Sequence, residues 1–200
     1  MVPIKRSYPA PTCLANEATK KSGDYKCGDV LDRLQQDFFT KCYICEEKYI
    51  TAAEVEHLRP HQGDRALKYD WENLFWSCRH CNNTKSNRYQ PMLDCTQAAV
   101  DRCIRYDVVP YPSITIAISA EEKGVEIDNT VQLLLDVYVG KTHLKKLESQ
   151  NLRQKLSIEW GLFLSCLKNA VEDESVSHQE ALNLHLHNSS PFAAFKRWKI

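Results

Sequence analysis

The spacing of apolar positions changes several times along this chain, and each change marks an element. Val30, Leu31, Leu34, Phe38 and Phe39 recur at helical spacing and predict an amphipathic helix over residues 29–40. Thr51–Leu58 and Leu74-Phe-Trp76 read as two short strands. The stretch between them, Arg59–Asp70, contains Pro60 and Gly63 and reads as a loop. Arg79–Arg88 reads as a short helix, so the central order is strand, loop, strand, helix. Pro91 interrupts the pattern, and Cys95–Tyr106 is predicted helical.

Further along, Ile114–Ser119 and Val125–Ile127 flank a Glu-Glu-Lys-Gly turn and predict a β-hairpin. Asp128-Asn-Thr130 can cap a short helix after it. A longer helix is predicted from Thr142 to Glu172. Its stripe of Leu144, Leu147, Leu152, Leu156, Trp160, Phe163, Leu167 and Val171 is expected to pack on a core. Residues 1–12 hold three prolines and read as an extended arm, and residues 13–28 as an irregular or partly helical connector. The tail from Pro191 to Ile200 is aromatic and basic, suited either to folding back on the body or to gripping a partner. The fold expectation is α+β in three segments: an N-terminal arm and helix (1–40), a small core (41–90), and a mainly helical C-terminal extension with a β-hairpin (91–200).

Composition narrows the function. The 200 residues carry 26 basic and 26 acidic side chains, for a formal net charge of zero. Nucleic-acid binders usually show a basic excess, so any such binding here needs a local patch or a partner. No apolar run reaches bilayer-spanning length, and the first ten residues lack the apolar segment of a secretory signal. We expect a cytoplasmic protein with no membrane association. The cysteine count, nine, is odd, which makes a disulfide framework an unexpected arrangement.

Four cysteines form two pairs, Cys42-Tyr-Ile-Cys45 and Cys78-Arg-His-Cys81. Each pair can bind one ion from a single turn, and together they complete a tetrahedral zinc shell. The 32 residues between Cys45 and Cys78 leave room for the strand, loop and strand. In so small a segment, zinc can supply about 10–16 kcal/mol of folding free energy. The opposing reading is a pair of redox dithiols. His80 falls between two ligands and reads as a neighbour of the site, since four thiolates already fill it. Cys13, Cys27, Cys95, Cys103 and Cys166 show no ligand spacing and read as small buried apolar side chains.

Inside this frame stand the groups that phosphodiester cleavage needs. His57 has an ordinary pKa of about 6.5 and can deprotonate water. Glu56 and an amide oxygen of Asn82 can contribute to a magnesium or manganese site, with His61 as a candidate further ligand. Successive strand side chains point to opposite faces, so Glu56 and His57 can serve one site only if the strand ends there. Asn73 can bridge backbone groups across the loop and pin the His57 main chain. Lys85 lies one helical turn beyond Asn82 and is expected to contact the phosphate. Taken singly, each residue has an ordinary structural use. The joint order inside a zinc-closed frame is what points to chemistry.

The order Cys-x-x-Cys, Glu-His, Asn-Leu, Cys-x-x-Cys-Asn-x-x-Lys resembles the zinc-bearing HNH endonucleases with their ββα-metal fold. The resemblance implies that Glu56 binds the cation, His57 is the general base, Asn73 orients its loop and Asn82 is a second metal ligand. Glu56 stands where aspartate is commoner, and Asn82 where the family name has a histidine. Ile4-Lys-Arg-Ser7 with Pro9, Val55–Pro60, Tyr69–Cys78 and Cys81–Asn87 further resemble the PtuB-like HNH subunit of Septu-type and retron-linked anti-phage systems. That likeness implies control by an ABC-type ATPase (PtuA-like) partner and a nucleic-acid substrate, DNA before RNA. The rival expectation from another class is a non-catalytic zinc module that binds nucleic acid or a protein.

Overall fold

Two antiparallel strands, β1 (Ala53–His57) and β2 (Leu74–Cys78), lie at the centre of the computed structural model, which describes residues 1–111 and 113–200. Their register sets Ala53 opposite Cys78 and His57 opposite Leu74. Three helices come before or between these strands: α1 (Thr12–Thr19), α2 (Gly28–Asp37) and the single-turn α3 (Arg65–Lys68). A 3-10 turn (Trp71–Asn73) leads into β2. Helix α4 (Arg79–Lys85) follows β2 without a gap. Asp64 caps α3 and Asp70 caps the 3-10 turn, each accepting backbone N–H bonds. The expected loop is therefore built from two short capped turns.

Every residue of β2 is buried, as expected of a strand covered on both faces. Beneath it, Phe38 at the end of α2 packs edge-on against Phe75. The N-terminal arm seals the same region. The Arg6 guanidinium lies 4.9 Å from the Phe75 ring and 4.8 Å from that of Trp71, and donates to the Leu74 carbonyl at 2.9 Å. The arm is extended as expected, and Met1, Val2 and Ile4 belong to the core.

The C-terminal part comprises α5 (Val100–Cys103), β3 (Ile104–Val109), β4 (Thr115–Ala120), α6 (Val125–Val139), α7 (His143–Glu172), α8 (Val176–Leu186) and α9 (Ala193–Arg197). The chain is mixed α+β, with a ββα region and a mainly helical C-terminal extension. Two details differ from expectation. A hairpin forms, but Ile104–Val109 pairs with Thr115–Ala120. Only one turn of the helix expected over Cys95–Tyr106 exists, because Ile104 and Tyr106 alternate inward as strand residues. Val125–Ile127 instead opens α6, where Ile127, Leu134 and Tyr138 continue a helical face into the core.

The expected α7 stripe is half right. Leu152, Leu156, Trp160 and Phe163 are buried, whereas Leu144, Leu147 and Val171 are exposed. The tail folds back: Phe195 packs edge-on against Tyr106 and Tyr138. Cys13 and Cys27, expected as free apolar side chains, form a disulfide bracketing α1 and the turn that follows it. Their residue types show no pairing signal; the approach of α1 and α2 creates it. Among the described residues, no helix is long and apolar enough to cross a membrane.

Candidate active site and zinc centre

Cys42, Cys45, Cys78 and Cys81 converge with all four Sγ atoms within 4.8 Å of one another, every residue buried. Cys45 and Cys78 are 3.9 Å apart at sulfur, close to the edge of roughly 3.8 Å expected for a tetrahedron with Zn–S of about 2.3 Å. Burial pushes the Cys45 and Cys81 thiols well above the ordinary thiol value. A bound dication would reverse that cost and hold the sulfurs as thiolates. The donor set fits structural zinc.

Backbone geometry explains the convergence. Tyr43 N donates to the Trp76 carbonyl at 3.0 Å, so the first pair docks alongside β2. Cys78 ends β2 and caps α4, its sulfur accepting from Cys81 N. The extension clamps both halves. Tyr138 Oη donates to the Cys45 carbonyl at 2.8 Å. The His80 ring nitrogens meet Glu148 at 2.8 Å and the Val137 carbonyl at 2.9 Å. His80 is thus a neighbour of the centre, bound to the helices around it.

On the far side of the hairpin, β1 ends at His57 and the chain turns through Leu58–Pro60. His57 lines a cleft of about 320 Å³ together with Tyr25, His61, Asn82 and Ser86. Its Nε2 lies 3.0 Å from the Lys68 carbonyl. A carbonyl only accepts, so Nε2 carries the proton and Nδ1 keeps the lone pair. Burial lowers the His57 pKa below its ordinary value; the Lys68 carbonyl opposes this, while His61 and Lys85 add to it. A neutral imidazole with one free lone pair is the state a general base requires.

Asn73 is almost fully buried and uses its whole amide on the loop. Oδ1 accepts from Arg59 N at 2.7 Å, and Nδ2 donates to the Arg59 carbonyl at 2.9 Å and the Leu67 carbonyl at 3.0 Å. It spans the loop just beyond His57 and pins it next to Lys68, the residue whose carbonyl orients His57. His61 packs edge-on against His57 with ring centroids 4.7 Å apart, and its Nδ1 accepts from Gly63 N.

Two side chains make contacts that the sequence did not suggest. Lys85 does not reach the surface. It is fully buried, and its Nζ donates to Glu56 Oε1 at 2.5 Å and to the His57 carbonyl at 2.9 Å. Glu56 correspondingly turns inward. Its other oxygen accepts from Tyr43 Oη at 2.5 Å. Burial pushes the Glu56 carboxyl up to about 7 even though Lys85 and Tyr43 pull the other way. Each oxygen already has a donor and the charge already has a counterion. Glu56 borders the same cleft as His57 and Asn82, and a divalent cation there would compete with Lys85 for Oε1.

The carboxylate that meets Asn82 is Glu54. Asn82 Nδ2 donates to Glu54 Oε2, and Arg79 Nε donates to Oε1 at 2.9 Å. These bonds hold Glu54 below the usual carboxylate range against the opposing effect of burial. Glu54 sits two residues before Glu56 on the same strand face, so alternation could have found it. Tyr43 lay between two zinc ligands and Tyr25 in an unpatterned connector; neither position carries a local signal.

Residues 42–88 match the family model described as HNH endonuclease. The match spans both cysteine pairs, β1, β2 and α4, the ββα region just described. The HNH endonuclease family implies a phosphodiester hydrolase, with nucleic acid as the substrate. No curated protein and no solved structure matches the chain.

Proposed function

We propose that this protein is an HNH endonuclease that hydrolyses DNA in preference to RNA, with His57 as general base. The observation that carries the reading is the 3.0 Å contact of His57 Nε2 with the Lys68 carbonyl. It holds the ring in the tautomer whose Nδ1 can take a proton from water. The hydroxide so formed attacks phosphorus, the bond to the leaving oxygen breaks, and the departing oxygen takes a proton from solvent. Asn73 keeps the loop in place, Asn82 and His61 line the cleft, and zinc on the four cysteines would hold the Cys42–Cys45 turn to the junction of β2 and α4. The family resemblance implies a magnesium or manganese ion on Glu56 and Asn82. Such an ion would have to share Glu56 with Lys85.

In this reading the enzyme is the effector nuclease of an anti-phage system, controlled by an ABC-type ATPase. Support comes from the motif likeness, from the neutral net charge, and from exposed apolar side chains on α7 such as Leu144, Ile158 and Leu162. Non-specific nucleic-acid affinity rests on phosphate-neutralising side chains, so a neutral nuclease gains from a partner that delivers substrate. The commitment of Glu56 to Lys85 favours a second reading, a non-catalytic zinc module binding nucleic acid or a protein.

The two readings separate on purified wild type and His57→Ala, incubated with supercoiled plasmid and with tRNA in Mg²⁺ or Mn²⁺, with and without an ATPase partner. Cleavage that disappears in the folded His57→Ala protein supports the nuclease. No His57-dependent cleavage under any of these conditions supports the binding module.

A further inference from the structure

We infer that the disulfide-closed loop Cys13–Cys27 is a positioning element for His57, acting through Tyr25; the inference rests on the nuclease reading. Two separate routes lead from this loop to the imidazole. Tyr25, two residues before Cys27, sets its ring edge-on against His57 with centroids 4.6 Å apart and forms a wall of the cleft. The second route runs through Lys68, whose carbonyl holds His57 Nε2. The Nζ of the same Lys68 donates to the Gly23 carbonyl of the loop at 3.3 Å.

The loop is tied to the α3 segment at several points. Tyr69 Oη donates to the Gly23 carbonyl at 2.7 Å. The Arg65 guanidinium donates to the Ala18 carbonyl, at 2.6 Å from Nη2, and also to the Lys20 carbonyl. Gly23 is held so closely that a Cβ there would come within 1.9 Å of the Glu17 carbonyl oxygen and 2.8 Å of Tyr69 Oη. Only glycine lets the loop approach this far.

Hydrogen bonds to Arg65, Lys68 and Tyr69 and the partial packing of Ala18 and Tyr25 hold this polar stretch from one side, and the cross-link fixes its two ends. Of its residues, Leu14 alone joins the buried hydrophobic core. The Cys13–Cys27 bond closes the two ends of the loop and limits the conformations open to it. Cutting that bond therefore frees Tyr25 and loosens the Lys68 carbonyl together. An imidazole about 1 Å out of line can lose on the order of 100-fold in rate. The reacting geometry suffers, while substrate contacts elsewhere remain.

The experiment compares oxidised protein with protein reduced by tris(2-carboxyethyl)phosphine. This reagent splits the sulfur–sulfur bond into two thiols, the phosphine taking the oxygen of one water and the sulfurs its two protons. Plasmid nicking is measured alongside zinc content. Reduction is expected to lower kcat at least ten-fold with KM within about a factor of three at constant zinc. Cys13→Ser/Cys27→Ser should start at the lowered rate and ignore the reagent. Tyr25→Leu should fall likewise, with Tyr25→Phe retaining the rate because it keeps the ring edge.

A second readout does not need activity. The His57 Cε1–H resonance, shifted by the Tyr25 ring, should move on reduction toward its position in Tyr25→Leu. A reduced protein that cuts at the oxidised rate, or a resonance that stays in place on reduction, overturns the inference. So does finding both cysteines free in protein prepared without reductant. If the oxidised wild type does not cut at all, the nuclease reading fails, and the resonance alone decides the positioning claim.

Discussion

Lys85 Nζ lies 2.5 Å from Glu56 Oε1, and both side chains are sealed from solvent. The pair joins α4 to β1, and Lys85 also holds the His57 carbonyl. Removing one member of a buried pair leaves the other without a counterion, at a cost of about 3–5 kcal/mol. Lys85→Met is expected to lose up to that much stability above neutral pH in urea unfolding, and less at pH 7, where Glu56 is already partly protonated. The loss should shrink near pH 5, where Glu56 takes up a proton.

Glu56 also makes stability depend on pH in a defined direction. Its carboxyl is raised in the folded protein to about 7 from an ordinary 4.5. A raised folded value means the contribution is fully present below about 4.5 and is lost as pH rises through about 7. The stability of wild type minus that of Glu56→Gln should therefore fall between pH 5 and pH 7.5. A flat difference in paired unfolding curves would show that the carboxyl is not perturbed.

The same ammonium competes with any divalent ion for Glu56. Mn²⁺ affinity, followed by the paramagnetic resonance signal of free Mn²⁺, should rise at least ten-fold in Lys85→Met. Unchanged affinity would place the ion elsewhere, and Glu54→Gln then tests the carboxylate already bound to Asn82.

His57→Ala should lower the cleavage rate by about 10²–10⁴ with an unchanged circular dichroism spectrum. Since burial lowers the His57 pKa from 6.5, the base is neutral throughout the physiological range. The rate should decline on the acid side only below about pH 6.5. A decline centred above that value points to another base.

Asn73→Ala removes three bonds to the main chain at Arg59 and Leu67. Leaving such groups without partners costs about 1–3 kcal/mol each when they stay dry, and water reaching the loop will offset part of this. A loss of about 2–4 kcal/mol is expected in thermal or urea unfolding. Cleavage should decrease as well, since the Lys68 carbonyl is carried by the pinned loop.

Elemental analysis should find one zinc per chain, and prolonged chelation should unfold residues 42–88 cooperatively. A metal-free protein with unchanged amide exchange across β1 and β2 would refute the structural role.

Much of the site was legible from local spacing. Two cysteines three positions apart can hold one ion from a single turn, so the zinc ligands needed no knowledge of the rest of the chain. Alternation and turn residues placed β1, β2 and α4 within a few residues, and the Asn73 amide was expected to bridge backbone. Long-range packing decided what local spacing could not. The pairing of β3 with β4 instead of with Val125–Ile127 depends on which apolar face α6 needs for the core. The Cys13–Cys27 bond depends on how α1 meets α2.

The sequence by itself determined most of the chemical groups gathered around one small frame: four thiols, an imidazole, one carboxyl and two amides. Tertiary structure alone decided their partners and their charge. Whether a carboxyl such as Glu56 faces water, a metal or a lysine depends on what covers it. That cover comes from Tyr43 and Lys85, residues 13 and 29 positions away along the chain, at separations where hydrophobic periodicity carries no information.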